Sequence, residues 1–337
     1  MGLDLHARQS TMAILEDGEE TIRTRTLHGS LRSVLAEVVR VKAPFEVCYE
    51  ASTGYGVVYE ALVGVADRVA VGHPAKLRLI FGSKDKHNRA DAKRLARLLR
   101  AGFVPEVHVP PREVRRWRAL IQRRRRHVVE RSGVKSALRF LLRSLGIEAP
   151  KSLWSKAGLA WVRTVGFDDP SDALMRDEHL AHLEYLNGAI GRAERRLDEV
   201  ASQHPGVALL ETIPGVGPRT AEAVVAWIDD PRRFKRVKAI GKYFGLVPCE
   251  DSSAGYRRLG HITKEGPAVV RGLLNQAAWR SVASSPEVRA FFERVRRDDP
   301  DRKKIAIVAT MHYLARVMLS MLRTGEPWRG SVAKGTH

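Results

Sequence analysis

Two carboxylates stand where predicted strands end. Asp4 closes the short apolar run at the start of the chain, and Glu50 closes the strand predicted over 45–49, just before Ala51-Ser52-Thr53-Gly54. If the two strands are neighbours in one sheet, both carboxylates lie within reach of one divalent cation. Oxygen ligands of this kind suit Mg²⁺, which supports phosphoryl transfer. An acid after a strand is also an ordinary turn or cap residue, so the spacing alone leaves both interpretations open.

A third polar element is predicted at the start of the helix that contains Asn88 and Asp91. Residues three apart share a helix face, so these two side chains are expected to point the same way. Asp91 completes an acidic cluster with Asp4 and Glu50. Asn88 is the weaker ligand, because its amide oxygen is neutral. The alternative is that Asn88 caps the helix and Asp91 lies in its first turn.

A candidate nucleophile lies in the segment 251–264. Two serines, Ser252 and Ser253, occupy a predicted flexible loop of small residues, and a group of cations follows them: Arg257, Arg258 and Lys264. Such a loop would present a hydroxyl to a phosphate already held by cations. Serine needs a base or a metal to activate it, and His261 is the nearest candidate in the sequence. Without further context an ordinary surface loop explains the pattern equally well.

A dense run of arginines predicts a phosphate-binding surface between residues 112 and 131. The planar guanidinium group suits phosphate oxygens, and no pattern typical of base recognition accompanies the run. Trp117 in the same run is expected to face the core. The candidate phosphate ligands are Arg115, Arg116, Arg123, Arg124, Arg125 and Arg126.

A glycine turn precedes a predicted helix at Ile213-Pro214-Gly215-Val216-Gly217. Gly215 and Gly217 would expose backbone N–H groups to an anion, as in helix-hairpin-helix modules that hold a DNA phosphate. A tight turn between two helices is the alternative, since glycine permits that as well.

The elements that would position these residues predict an α/β domain followed by helical segments. Strand-like runs at 10–16 and 21–27 flank the hairpin signal Asp17-Gly18, and helices are predicted at 30–41 and 55–65. Pro110 and Pro111 must stop a helix, and a long amphipathic helix spans 172–200. We therefore expect three parts: a carboxylate domain at 1–111, a basic helical or coiled-coil linker at 112–204, and a C-terminal domain at 205–330.

Composition favours nucleic acid as the partner. The chain has 337 residues, a net charge of +20 and 44% hydrophobic residues, which suffices for two or three cores. Its charge attracts polyanions. No signal peptide is recognised and no window approaches about 20 uninterrupted apolar residues, so a soluble cytoplasmic protein without a membrane partner is expected. Two cysteines, Cys48 and Cys249, are too few for a disulfide framework.

Taken in order, these motifs resemble one family, the DEDD-type insertion-sequence transposases known as bridge-RNA-guided serine recombinases (the "IS one-ten" family). The resemblance covers nearly the whole chain. It rests on five segments: Gly-Leu-Asp-Leu-His at 2–6, Glu-Ala at 50–51, Asn-Arg-Ala-Asp-Ala at 88–92, Ile-Pro-Gly-Val-Gly at 213–217 and Ser-Ser-Ala-Gly at 252–255.

The resemblance implies an RNase H-like (RuvC-like) N-terminal domain, a coiled-coil linker and a mainly helical C-terminal transposase domain. It implies that Asp4, Glu50 and Asp91 bind Mg²⁺ and that Ser253 attacks a DNA phosphodiester to form a covalent serine–DNA intermediate. It also implies donor and target DNA, a structured guide RNA, assembly into homodimers and homotetramers, and action at the bacterial nucleoid.

One position departs from the family pattern. Asn88 stands where the family carries an aspartate, which leaves it as the fourth member of the metal set with a neutral oxygen. Two other functions stay open: a RuvC-like junction nuclease that uses water and does not need Ser253, and a catalytically impaired nucleic-acid-binding relative, for which Asn88 and the short first strand are the arguments.

Overall fold

The chain divides into two compact units, residues 1–112 and 113–337. The computed structural model describes residues 1–41, 44–82, 88–253 and 256–330; for residues 88, 251–253 and 256–259 it describes the backbone alone. The mixed α/β character of the first unit and the helical character of the second confirm the predicted fold class at that level. The three-part division at 111 and 204 stays a prediction.

A five-stranded sheet forms the centre of the first unit, in the order β3-β2-β1-β4-β5. β1 pairs antiparallel with β2 and parallel with β4, and β4 pairs parallel with β5. The elements of this unit are β1 Gly2–Asp4, β2 Gln9–Leu15, β3 Ile22–His28, α1 Leu31–Val39, β4 Glu46–Glu50, α2 Tyr55–Leu62, β5 Arg68–Gly72, α3 Pro74–Phe81 and α4 Asn88–Arg100.

Local signals in the sequence account for most of these elements. The Asp17-Gly18 turn joins β2 to β3, and Gly18 has the positive φ of 80° that such a turn requires. Ser30 caps α1, accepting a hydrogen bond from the Ser33 amide. The predicted hairpin, the two helices and the strand before Glu50 are each confirmed to within a few residues.

α4 packs against the sheet with its backbone almost touching β1. A Cβ built on Gly2 would lie 2.1 Å from the carbonyl oxygen of Ala92 and 2.6 Å from the amide nitrogen of Ala96. Only glycine permits this approach, since both opposing atoms belong to a helix backbone that cannot rotate away. Gly2 therefore sets the distance between β1 and the helix that bears Asp91.

Two long helices begin the second unit. They are α5 Arg112–Ser144 and α7 Pro170–Ala201, with α6 Lys156–Thr164 between them. Arg124 Nε donates to Glu194 Oε1 at 3.0 Å, and Arg131 Nη1 donates to Asn187 Oδ1 at 3.1 Å, so α7 runs antiparallel to α5. Apolar side chains, among them Val134, fill the space between the two helices.

Short helices and one long one build the C-terminal core. They are α8 Pro205–Glu211, α9 Pro218–Ile228, α10 Ala239–Tyr243, α11 Ala268–Ser284, α12 Pro286–Arg296 and α13 Lys303–Thr324. The segment Pro300–Thr324 is long and apolar enough to cross a membrane by length and composition, the one such helix among the described residues. Its side chains, including Leu314 and Met318, are buried in this core, which accounts for its apolar character.

The segment expected to be a flexible loop is instead a β-hairpin. β6 Pro248–Ser253 pairs antiparallel with β7 Tyr256–Ile262, so Ser252 and Ser253 belong to a strand. Cross-strand backbone hydrogen bonds stabilise this arrangement even though the residues are small and polar, which is why propensity alone predicts a loop.

A buried carboxyl group lies beside the arginine that joins α9 to α7. Glu222 is 1% exposed, and its Oε2 lies 3.4 Å from Arg219 Nη1, while Arg219 also pairs with Asp198. Burial raises the pKa of Glu222 to about 8, opposed by the attraction of Arg219. At neutral pH the folded protein thus holds a proton on Glu222 that the unfolded chain has already released, since the ordinary pKa of this acid is 4.5.

We predict that Gly2→Ala destabilises the first unit by roughly 1–3 kcal/mol, since the new methyl group overpacks the contact with α4. Thermal and urea unfolding would measure the change. Gly64→Ala is the matched control, because no atom lies within 4 Å of a Cβ at that site. Equal stability of the two variants would contradict the proposed role of the contact.

We also predict that Glu222→Gln removes a pH dependence of stability. The folded-state pKa of this acid is raised, so wild-type stability falls as pH rises from about 5 to about 8, by up to ~1.4 kcal/mol per pH unit. Urea unfolding at several pH values would show the variant gaining stability relative to wild type at the alkaline end. Glu211→Gln, at an exposed site, should leave the dependence of stability on pH unchanged. A Glu222→Gln profile that runs parallel to the wild-type profile would refute the raised pKa of Glu222.

Candidate functional site

The carboxylates of β1 and β4 leave the sheet at the same edge. β1 and β4 are parallel neighbours with Leu3 opposite Tyr49, so the next residues along, Asp4 and Glu50, follow at adjacent positions. Asp4 ends β1 and Glu50 ends β4, as expected from the sequence. The parallel pairing therefore brings the two strand-end acids to one edge.

Asp91 approaches the same edge from α4. Burial raises the pKa of Asp4, with smaller contributions in the same direction from the negative charges of Asp91 and Glu50. His6 opposes the shift, since its Nε2 lies 3.2 Å from Asp4 Oδ2. All three acids are thus close enough for their charges to interact, and a cation would relieve their repulsion.

The donor chemistry of these residues fits Mg²⁺. Carboxylate oxygens are its preferred protein ligands, and Asp4, whose pKa is raised mainly by burial, lies close enough to Asp91 and Glu50 for their charges to add to that shift. In the described part of the chain, however, no three His, Cys, Asp or Glu side chains are close enough together to hold a metal ion. Arg94 Nη1 lies 3.1 Å from Asp91 Oδ1, so binding would require Asp91 to exchange this partner. The side chain of Asn88 lies outside the described residues.

Two histidines at this edge were not predicted from the sequence to belong to the site. His6 contacts Asp4, and the i, i+2 spacing after a strand-end acid is the signal that points to it. His73 follows β5 directly, one position beyond the Gly72 that pairs with Glu50, and its buried Nδ1 has no hydrogen-bond partner. Only the sheet order brings His73 to this edge.

Arg271 holds both ends of the hairpin that bears Ser253. From α11 its Nη1 donates to the carbonyl oxygen of Phe244, before β6, at 3.2 Å, and to that of Glu265, after β7, at 2.6 Å. The backbone of Ser252 and Ser253 lies in β6; their side chains and those of Arg257 and Arg258 lie outside the described residues. Lys264 is exposed just past β7, in the left-handed region at a φ of 55°.

The arginines of α5 fall into two groups. Arg116, Arg123 and Arg126 are exposed and stand at helical spacings of seven and three, so they share one face. Arg115, Arg124 and Arg125 are half-buried, and Arg124 binds Glu194 of α7. The exposed group is the one free to meet phosphates.

Trp117 faces the core, as expected from the sequence. It is 3% exposed and its ring stacks on that of His204 at 4.4 Å between centroids. Its ring is therefore not available for stacking on bases.

The glycine turn joins α8 to α9. Gly215 has a φ of 89°, and a Cβ there would lie 2.4 Å from the amide nitrogen of Ser281. Gly215 thus serves close packing against α11. Gly217, the residue before α9, has open space around its Cβ position, so its backbone is the more accessible of the two.

Comparison with known proteins places both units among transposases. Residues 1–147 match the DEDD_Tnp_IS110 family, described as Transposase, and residues 207–293 match the Transposase IS116/IS110/IS902 family.

Curated relatives carry the same description. The chain is 29% identical to the putative transposase y4qE of Sinorhizobium fredii over 83% of its own length and 70% of that protein. It is 28% identical to the transposase for insertion sequence element IS1111A of Coxiella burnetii, over 69% and 64% of the two lengths. A pilin gene-inverting protein of Moraxella lacunata is 28% identical over 36% of this chain and 38% of that protein. The chain spans 59% to 70% of the length of three of its curated relatives.

We predict that Asn88→Asp tightens divalent-cation binding by about tenfold or more, because the resemblance assigns residue 88 to the metal set and the change adds a negative charge to that set. Asp4→Asn should weaken binding. Titration with Mn²⁺, followed by electron paramagnetic resonance of the free ion, measures both, and Asp67→Asn at an exposed site of the same unit is the control. Unchanged affinity in Asn88→Asp would remove residue 88 from the metal set.

Proposed function

Because the chain belongs to the IS116/IS110/IS902 family of transposases, we propose that it is a DNA recombinase that moves an insertion sequence by serine-mediated strand exchange. The observation that carries the proposal is that one chain combines the sheet edge of Asp4, Glu50 and Asp91 with the hairpin that bears Ser253. The pilin gene-inverting relative, whose name describes a DNA inversion, supports recombination over simple hydrolysis.

The first unit would act as an RNase H-like domain. Its sheet, with three antiparallel strands followed by two parallel ones in the order β3-β2-β1-β4-β5, supports this assignment. Asp4, Glu50 and Asp91, with Asn88 as the neutral fourth member, would hold Mg²⁺, and the cation would supply electrostatic stabilisation of the phosphoryl-transfer charge. The charges of Asp91 and Glu50, which add to the effect of burial in raising the pKa of Asp4, support one shared site for these acids.

Ser253 would be the nucleophile. Its Oγ would attack a DNA phosphorus atom, a phosphorus–oxygen bond to serine would form, and the bond to a deoxyribose oxygen would break, leaving a hydroxyl end. A hydroxyl end from another strand would then attack the phosphoserine and release Ser253. The number of phosphodiester bonds is conserved, so strand exchange requires no external energy source.

Several surfaces would hold the nucleic acids. Arg116, Arg123 and Arg126 form an exposed cationic face on α5, and Lys264 is exposed beside the hairpin. Arginine forks suit phosphates, and helix-hairpin-helix turns such as that at Gly217 offer backbone N–H groups. The proposed partners are donor and target DNA, a structured guide RNA and further copies of the chain in dimers and tetramers.

We predict that a covalent protein–DNA adduct forms with wild type and with Ser252→Ala and disappears with Ser253→Ala. The substrate is DNA carrying the insertion-sequence ends that flank the gene, with Mg²⁺ present, and denaturing gel electrophoresis resolves the adduct. Cleavage without any adduct, equal in both serine variants, would instead identify a nuclease that uses water. Retained DNA binding without cleavage at any Mg²⁺ concentration would identify a binding protein that lacks catalysis.

A second readout tests the guide RNA directly. RNA that copurifies with the full chain is sequenced, and a discrete structured RNA encoded beside the gene is expected. Heterogeneous cellular RNA would argue against guided recombination while leaving the adduct result unaffected.

A further inference from the structure

A cleft on the C-terminal half of α5 combines aromatic rings with unpaired cations. It encloses about 370 Å³ between α5 and the segment before α6. Trp154 and Phe140 line it, and Phe140 is 72% exposed. Trp154 is only partly exposed, since it also packs against the apolar residues between α5, α6 and α7. One ring is therefore fixed by the core while the other is offered to solvent.

Three cations surround these rings without a carboxylate to balance them. Lys135 Nζ lies 5.1 Å and the Arg139 guanidinium carbon 5.6 Å from the centroid of the Trp154 ring, and Arg143 lines the same cleft. Among the described residues no carboxylate lies within 4.0 Å of any of these three cations. Burial lowers the pKa of Lys135, and the charge of Arg131 lowers it further. An anion placed in the cleft would relieve this repulsion.

The cleft also presents hydroxyl groups that are left to accept hydrogen bonds. Ser132 Oγ donates to the carbonyl oxygen of Val128 at 2.9 Å, and Ser136 Oγ donates to that of Ser132 at 3.0 Å. In this arrangement each hydroxyl directs its proton to its own helix and leaves its lone pairs for a ligand, and rotation of the hydroxyl would let it donate instead. A ligand suited to these atoms brings its own O–H or N–H donors.

We infer that this cleft binds single-stranded RNA, with a base on the exposed ring of Phe140 and flanking phosphates on Arg139, Arg143 and Lys135 beside Trp154. Base stacking on aromatic rings within a cationic groove is the usual way in which proteins bind single strands without reading sequence. The hydroxyls of Ser132 and Ser136 favour ribose over deoxyribose, because the ribose 2′-OH can donate hydrogen bonds to their lone pairs.

The charge of the cleft argues against a second copy of the chain as its occupant. A symmetric contact centred on the cleft would bring Lys135, Arg139 and Arg143 near their own counterparts, and like charges would repel. This inference rests on the proposed function, since it locates a binding site for the RNA partner. It is separable from that proposal, because binding of a single strand requires neither Ser253 nor a bound cation.

The test measures binding of fluorescent 12-nucleotide rU and dU strands by anisotropy, with the full-length Ser253→Ala protein in the presence of a chelator. Arg139→Gln with Arg143→Gln should weaken rU binding about tenfold and reduce the slope of log affinity against log salt by about 1.4, as expected for two lost phosphate contacts on a single strand. The control pair is Arg192→Gln with Arg195→Gln, which removes two exposed charges from α7 and should leave both quantities unchanged.

The aromatic part of the inference has its own variant. Phe140→Ala should weaken rU binding about tenfold through lost stacking, with the salt slope unchanged. Phe103→Ala is the matched control, since Phe103 is 73% exposed in the first unit. Trp154 is left intact because its removal would also disturb the core; 4-thiouridine strands should instead crosslink to the peptides that contain Phe140 or Trp154.

Three outcomes would overturn the inference. If both cleft variants bind rU with the wild-type affinity and salt slope, then no single strand binds in the cleft. Equal losses of rU and dU affinity would refute the assignment to RNA. A change of molecular mass in Phe140→Ala by light scattering, with rU affinity intact, would identify the cleft as an interface between copies. In each case the serine adduct remains a separate result.

Discussion

The approach of α4 to β1 at Gly2 is the contact on which the candidate carboxylate site depends. Ala13 of β2 and Cys48 of β4 also pack against α4, and Gly2 sets how closely the helix approaches the three-residue strand between them. With no side chain on Gly2, the backbone of α4 lies directly on the strand. Asp91, the residue before Ala92, is thereby held near the end of β1, where its charge reaches Asp4.

Electrostatic repulsion is managed differently in the two units. In the first unit the acids at the sheet edge repel one another, and His6 and Arg94 reduce that repulsion. In the second unit arginines are in excess, and some of them make contacts within the fold. Arg124 binds Glu194, and Arg271 binds backbone carbonyls around the hairpin. The cations left over on α5 face solvent. Both imbalances are of the kind that a bound ion or a polyanion corrects, as a DNA-acting enzyme requires.

Much of the fold could be predicted from local pattern. The Asp17-Gly18 hairpin, the cap at Ser30 and the long helix over 170–201 all follow from residue types at short range. The stop predicted at Pro110 was wrong, because α4 already ends at Arg100 and the proline pair instead precedes the start of α5 at Arg112. The hairpin at 248–262 could not be predicted from local pattern, because small polar residues have low strand propensity and the pairing partner lies several residues away. The strand-end positions of Asp4 and Glu50 were likewise visible in the sequence.

The positions of the charged residues and the boundaries of strands and helices can be read from the sequence, because capping, turn chemistry and hydrophobic periodicity act over a few residues. Which of the charged residues lie next to one another depends on tertiary packing. The parallel pairing of β1 with β4 set Asp4 beside Glu50, packing at Gly2 added Asp91, and the sheet order brought His73 to the same edge. It also separated Arg124, paired with α7, from Arg116, Arg123 and Arg126 in solvent. These distinctions depend on contacts between residues far apart in the chain, and no local pattern encodes them.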